Sequence, residues 1–207
     1  MHTKQTLLAG VLVAAMAGGT AMAVETPRYA TVLRDGDHEL RDYPALVVAE
    51  VSVEGDQKTA ASRGFRLLAN YIFGGNRKRA EIAMTAPVAQ QAEGQKIAMT
   101  APVAQVPGAA GAWIVRFTMP SAWTLDTLPV PDDARVRLRR TDPVRLAARR
   151  FSGLARPDDV QAQSAALLAW VRARGLRPTG PVTLAQYNPP WTPWFLRRNE
   201  VMVDVAR

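Results

Sequence analysis

Nine residues occur twice in close succession: IAMTAPVAQ fills positions 82–90 and returns at 97–105. In an extended strand successive side chains alternate between faces, so Ile82, Met84, Ala86 and Val88 share one side of the first copy. Ile97, Met99, Ala101 and Val103 share one side of the second. If the intervening AQQAEGQ closes a hairpin, the simplest antiparallel register sets Thr85 opposite Thr100 and Met84 opposite Ala101. All eight apolar side chains then lie on one face, because the offset between the copies keeps them in phase. The spacing predicts an apolar hairpin wall, with each proline near a strand end or an edge where its missing N–H does least harm. This wall is expected to be scaffold that faces the core.

The rest of the chain supplies elements around that wall. HELRDYP (38–44) and ALVVAEVSV (45–53) carry strand patterns, the second an apolar, β-branched run suited to burial. From about Lys58 to Phe73 the period becomes helical. Ala61, Gly64, Phe65, Leu68, Tyr71 and Ile72 fall on one side, and Ser62, Arg63, Arg66 and Asn70 on the other. GGN (74–76) supplies the stop. VPGAAGA (106–112) is a loop and WIVRFTMPS (113–121) a strand. In RVRLRRTDPVRLAARR (135–150) the first part alternates, with Val136 and Leu138 opposite Arg135, Arg137 and Arg139, as in a half-buried strand with a basic outer face. Residues 156–175 form a second helix, with Val160, Leu167, Leu168 and Val171 as its apolar stripe and Gly175 as its stop. A strand, a proline-rich aromatic loop at 188–195 and an alternating strand at 200–205 close the chain. The order describes a single α+β domain whose halves are alike in outline.

Composition narrows the chemistry. Among 207 residues there is no Cys, so disulfides, zinc–thiolate sites and a cysteine nucleophile are excluded. Residues 1–23 combine one Lys (Lys4), an apolar run from Leu7 to Gly19 and the exit Ala-Met-Ala, the pattern of a secretory signal peptide. The run is shorter than the roughly 20 residues of a membrane span. An uncleaved tether is the other reading. Export to the periplasm or the medium is therefore expected, with residues 24–207 as the mature domain. The net charge is +8, carried by 22 Arg and 4 Lys. An exported basic chain meets anionic ligands or surfaces more readily than nucleic acid.

Several segments taken together resemble a known family, the SOUL haem-binding proteins. They are HELRDYPA (38–45), YIFGGN (71–76), the Met-Thr-Ala-Pro-Val segments at 84–88 and 99–103, FTMPS (117–121) and YNPPWTPWFLRRNEVMV (187–203). The doubled segment is similar to bacterial members. The resemblance implies a distorted eight-stranded antiparallel β-barrel with two flanking helices, built from two related halves. It also implies haem or another tetrapyrrole in a shallow apolar cleft beside the first helix, with no catalysis established for the family.

On that resemblance the cleft falls between the first helix and the proline-rich loop. It would bring Phe65, Leu68, Ala69 and Ile72 near Trp191, Trp194 and Phe195, whose flat apolar surfaces suit a planar ring. Such a site needs cations for two propionates, and Arg63 and Arg66 on the helix or Arg197 and Arg198 after the loop could supply them. Beyond the signal segment the one histidine is His38, four residues before Asp42, where family members with a proposed histidine ligand carry it. His38 is thus one candidate axial ligand. Met84, Met99, Tyr71 and Tyr187 are others, each with a structural alternative as core or hydrogen-bonded residue, while Met119 and Met202 suit the core or the rim. The ring would then be gripped by contact area, with haem bound reversibly by a non-enzymatic carrier or buffer. Two other classes stand beside it. A small-molecule hydrolase or isomerase would draw on Glu81, Glu200, Tyr71 and Tyr187. An interaction protein would use the basic face of Arg135, Arg137 and Arg139 to meet a partner or an anionic surface.

Overall fold

Two amphipathic helices need two apolar sheet faces to cover, and the strands supply them. The computed structural model describes residues 25–78, 94–188 and 191–207. Strands β1 (Ala30–Asp35), β2 (His38–Tyr43) and β3 (Val47–Glu54) lead into helix α1 (Gln57–Ile72). After the short β4 (Asn76–Arg77) come β5 (Val103–Pro107), β6 (Ala112–Thr118), the short β7 (Val130–Pro131), β8 (Arg137–Arg140) and β9 (Val144–Phe151). Helix α2 (Pro157–Ala173), β10 (Thr183–Gln186) and β11 (Asn199–Asp204) complete the chain. Nine strands form one curled antiparallel half-barrel in the order β1-β2-β9-β11-β10-β5-β6-β3-β8, while β4 and β7 pair separately. The α+β class and the two flanking helices agree with expectation.

Leaving β1 aside, the order is unchanged when β2 and β8, β3 and β9, β5 and β10, and β6 and β11 are exchanged. Each half therefore lends its first strand to the other: β2 pairs with β9, and β8 with β3. The halves meet at β5 and β10, where Ala104 lies opposite Ala185. One residue further along each strand, Gln105 Nε2 donates to Gln186 Oε1 at 3.1 Å.

Each helix covers one half. Leu68, Tyr71 and Ile72 of α1 are buried with Val51, Val115, Phe117 and Leu128. Leu167 and Val171 of α2 are buried with Leu40, Ala147, Val201 and Val203. Burial of such side chains contributes roughly 1.5–3 kcal/mol each. Helix α1 starts where Asp56 accepts from the Thr59 N–H at 3.0 Å, and α2 starts with Pro157 followed by Asp158 and Asp159, which offset the helix dipole. At the end of α1 the YIFGGN segment acts as a clasp. Gly74 turns with φ +122°, and the buried Asn76 side chain donates to the carbonyls of Tyr71 (2.6 Å) and Gln95 (2.8 Å) while accepting from the Gln95 N–H. The Tyr71 hydroxyl donates to the Pro129 carbonyl at 3.0 Å.

Close approach of α1 to β6 depends on Gly64, because a Cβ there would lie 2.5 Å from Val115 Cγ2. Gly64→Ala is therefore expected to destabilise the fold by about 1–2 kcal/mol in urea titrations. Overpacking costs of about 1–3 kcal/mol outweigh the gain of up to about 1 kcal/mol in helix propensity.

One expectation needs correction. The second copy of the repeat is not a strand along its length: β5 begins only at Val103, and Thr100 makes an isolated bridge to Glu25. Pro102, which follows a cis peptide bond, has no N–H for a ladder, and the Thr100 hydroxyl donates to the Thr118 carbonyl instead. The apolar assignment of this copy still holds, since Ile97, Met99 and Val103 all pack in the α1 cluster. The first copy, with Met84, lies outside the described residues, as do Glu81 and residues 1–23. Residues 144–151 form a full interior strand, β9. With β1 at its edge the sheet has nine strands, close to the eight expected. On the basic face Arg135 pairs with Asp133 and Arg139 with Glu50, a carboxylate that Arg116 shares, and further along Arg145 pairs with Asp42. Among the described residues no helix is long and apolar enough to cross a membrane.

Candidate functional site

On the outer side of α1 a groove separates the helix from the strands at the junction of the halves. Its volume is about 500 Å³, within the usual range for small-molecule sites. Helix positions one turn apart, Ala61, Ser62, Phe65 and Arg66, form one bank. Val103 and Gln105 of β5 and Gln186 of β10 form the floor. Asn188, Arg197 and Asn199 form the far bank. Phe65 meets Phe117 edge-on, with ring centroids 5.5 Å apart, so the core fixes its ring while one side stays open. The amides of the floor bond to one another, and Asn199 is anchored by donating to the Gly153 carbonyl at 3.0 Å. Arg197 Nε donates to the Thr192 carbonyl at 2.8 Å, which holds the guanidinium at the rim.

The residues expected at the site separate into four groups. Phe65 and Arg66 line the groove, joined by Arg197. Leu68 and Ile72 do not: both are buried beneath the helix in the core, with Ala69 half-buried between them. Arg63 faces a different recess with Glu54, Leu67 and Arg135, which Arg66 also borders. Trp191, Trp194 and Phe195 are absent from the groove lining and stand exposed. A short 3₁₀ turn at Trp194–Leu196 and a hydrogen bond from the Gly153 N–H to the Trp194 carbonyl draw the loop toward the β9–α2 connection instead of α1. Gln105, Gln186 and Asn199 had no signal as site residues. Only the pairing of the halves brings them together.

His38 sits on the opposite half. Its ring stacks on Trp170 of α2 at 5.1 Å between centroids, and Arg149 Nη1 lies 3.0 Å from Nε2. A guanidinium only donates, so that imidazole nitrogen accepts and its lone pair is occupied. Burial, then the Arg149 charge, lower the His38 pKa and favour the neutral ring. The other candidate ligands are likewise engaged. Tyr71 is buried in its hydrogen bond, Met119 is core and Met99 packs on it. The Tyr187 hydroxyl donates to Glu200 at 2.7 Å, with Arg198 stacked 4.0 Å above its ring.

Glu200 is the centre of the largest polar network. It is fully buried, and accepts from Arg41 (2.6 and 3.0 Å), Arg198 (2.6 and 3.1 Å) and Tyr187. Burial pushes its pKa up, but the hydrogen bonds and charge of Arg41, with those of Tyr187 and Arg198, outweigh this and hold it below the usual carboxylate range. Arg198 is thereby committed to the fold and does not line the groove.

A second cleft of about 330 Å³ opens on the helix-free face, where Tyr43, Val48, Ala104, Thr183 and Met202 meet several prolines. Its arginines, Arg116 and Arg139, are held by Glu50 at 2.9 and 2.8 Å. Asp204 at its edge has its pKa raised by burial.

The model of the SOUL heme-binding protein family matches residues 24–204. The chain belongs to the SOUL family. No curated protein sequence matches it. Among solved structures, a hydrolase from Listeria innocua is similar, with TM-score 0.54 at 14% identity over 84% of this chain and 94% of that one. The C-terminal domain of EcmrR gives TM-score 0.55 at 11% identity, over 82% and 97% of the two chains. EcmrR in its DNA complex gives 0.57 at 9% identity, over 82% of this chain and 57% of that one. At these identities the likeness of this SOUL chain to them shows a shared fold alone.

Proposed function

We propose that this SOUL protein is a non-enzymatic carrier or buffer that binds a tetrapyrrole in the α1 groove at an exported location. The supporting observation is the pairing of an open aromatic bank, Phe65, with two guanidiniums at the rim, Arg66 and Arg197. Phe65 offers its face to a planar ring, and the arginines suit propionate carboxylates. No imidazole, phenol or thioether is among the described lining residues, and Phe65 with Arg66 and Arg197 suits a carboxylated macrocycle held by contact and charge. Haem, when bound, would supply iron chemistry; the protein side chains here hold the ring and its carboxylates. Of the groups considered for acid–base catalysis, Glu200 is engaged in its ion network and Tyr71 and Tyr187 in hydrogen bonds, while Glu81 lies outside the described residues.

Titration of the protein with hemin and with iron-free protoporphyrin is expected to give micromolar dissociation constants within about threefold of each other, a difference under about 1 kcal/mol. Phe65→Ala should weaken both by about tenfold, about 1.4 kcal/mol. Arg66→Glu should weaken the diacid porphyrin but leave its dimethyl ester unaffected. His38→Ala should leave the hemin spectrum unchanged. Binding of hemin alone, abolished by His38→Ala, would replace this reading with imidazole ligation. Indifference to Phe65 and Arg66 would move the ligand to another site.

A further inference from the structure

We propose that the tryptophan loop is a docking element for an anionic lipid bilayer. Exposed apolar side chains on soluble proteins are usually scattered singly, and a cluster marks an interaction surface. Here Trp191, Trp194, Phe195 and Leu196 are 82%, 60%, 58% and 64% exposed within six residues. Leu154 extends the cluster, because the Gly153 N–H donates to the Trp194 carbonyl and brings the β9–α2 connection alongside.

The loop is held out by its own bonds. Trp194 and Phe195 meet edge-on at 5.6 Å, the Arg197 N–H donates to the Trp194 carbonyl at 3.2 Å, and Arg197 Nε donates to the Thr192 carbonyl at 2.8 Å. The aromatic side chains are thus displayed with little ordering left to pay for on docking. Indole combines a large apolar body with one N–H, which suits the boundary between headgroups and acyl chains.

The charge around the loop selects the lipid. Arg150 at the end of β9 and Arg156 before α2 are exposed and make no ion pair among the described residues, and Arg197 flanks the loop. Asp158 and Asp159 in the first turn of α2 are the nearby acids. The chain as a whole carries +8. A bilayer with anionic headgroups would satisfy both features at once, by accepting the aromatics and attracting the arginines. The apolar side chains of the loop do not line the α1 groove, although Arg197 borders both, and docking does not depend on what the groove binds.

Full-length mature protein should co-sediment with mixed phosphatidylcholine–phosphatidylglycerol vesicles, and its tryptophan emission should shift to the blue and be quenched by brominated acyl chains. Binding to pure phosphatidylcholine should be weaker by at least tenfold, as should binding of the combined variant Trp191→Ser, Trp194→Ser, Phe195→Ser to the mixed vesicles. An unchanged thermal melt of that variant would show that it folds. Arg150→Glu with Arg156→Glu should weaken binding to mixed vesicles only. Absence of vesicle binding, equal binding to both lipids, or full binding by the folded loop variant would each overturn the proposal. So would concentration-dependent dimerisation in sedimentation velocity that the loop variant abolishes, since the surface would then serve a second copy of the chain.

Discussion

Glu200→Ala is expected to lower unfolding free energy by about 3–5 kcal/mol, the cost of leaving a buried charge without its partner. For a chain of this size that corresponds to a fall in Tm on the order of 10 °C. The carboxylate is fully buried and its main partner, Arg41, is 2% exposed, so water cannot replace the lost contact. Arg41 would keep one ion pair, to Glu39 at 2.7 Å, and Arg198 would keep its stacking on Tyr187. Replacing both Arg41 and Glu200 with Met should destabilise less than the sum of the single changes, because neither charge is then stranded. The network also sets acid sensitivity. Since the folded pKa of Glu200 is depressed, its stabilisation is complete above the unfolded value of about 4.3 and is lost as pH falls through the folded pKa. Glu50 acts in the same direction: burial raises its pKa, but Arg139 and Arg116 prevail and lower it. Stability should therefore drop below about pH 4.3, and Glu200→Gln should flatten that decline. A Glu200→Gln protein with the wild-type pH profile would place acid sensitivity elsewhere.

Leu68→Ala is expected to cost about 2–5 kcal/mol, as truncation of a fully buried leucine does. Its side chain packs with Val51, Val115 and Phe117 under α1, and the cavity left there has rigid strands on one side. Phe65→Ala, three residues earlier, should cost under about 1.5 kcal/mol because part of its ring is already in water. The two variants separate scaffold from site. Porphyrin affinity, corrected for the folded fraction, should be retained by Leu68→Ala and reduced by Phe65→Ala. The reverse result would show that the ring inserts beneath α1 instead of lying along its outer bank.

Much of the framework was legible because local periodicity carried it. The apolar stripes of α1 and α2 place Leu68, Tyr71, Ile72, Leu167 and Val171 on the buried sides, and the apolar run of β3 is buried at Val48, Ala49 and Val51, whereas β11, read as alternating, is buried from Asn199 to Val203. β1 gave no such signal, and all six of its residues are exposed, so no alternation could have been imposed by burial. β9 was hidden by its arginines. Arg145 and Arg149 extend from an interior strand to reach Asp42 and Gln163, which leaves Ala147 and Ala148 as its buried contacts. The second copy of the repeat was assigned to the right side of the core but the wrong backbone conformation, since Pro102 interrupts the ladder that its side-chain pattern suggests.

The amino-acid order by itself determined the class of fold, the family and the stop at the end of α1, and its likeness to the family named Phe65 and Arg66, which line the groove. Those properties depend on residues within a few turns or strand repeats of one another. The tertiary structure alone decided that Gln105, Gln186 and Asn199 complete the groove, that Glu200 belongs to the core, and that the tryptophans face outward. Each of these rests on strands paired across some 46 to 159 residues of chain, as in Asn199 with Gly153 and Glu200 with Arg41. Such pairings are set by the joint burial of two helices on one curled sheet, and no local pattern records them.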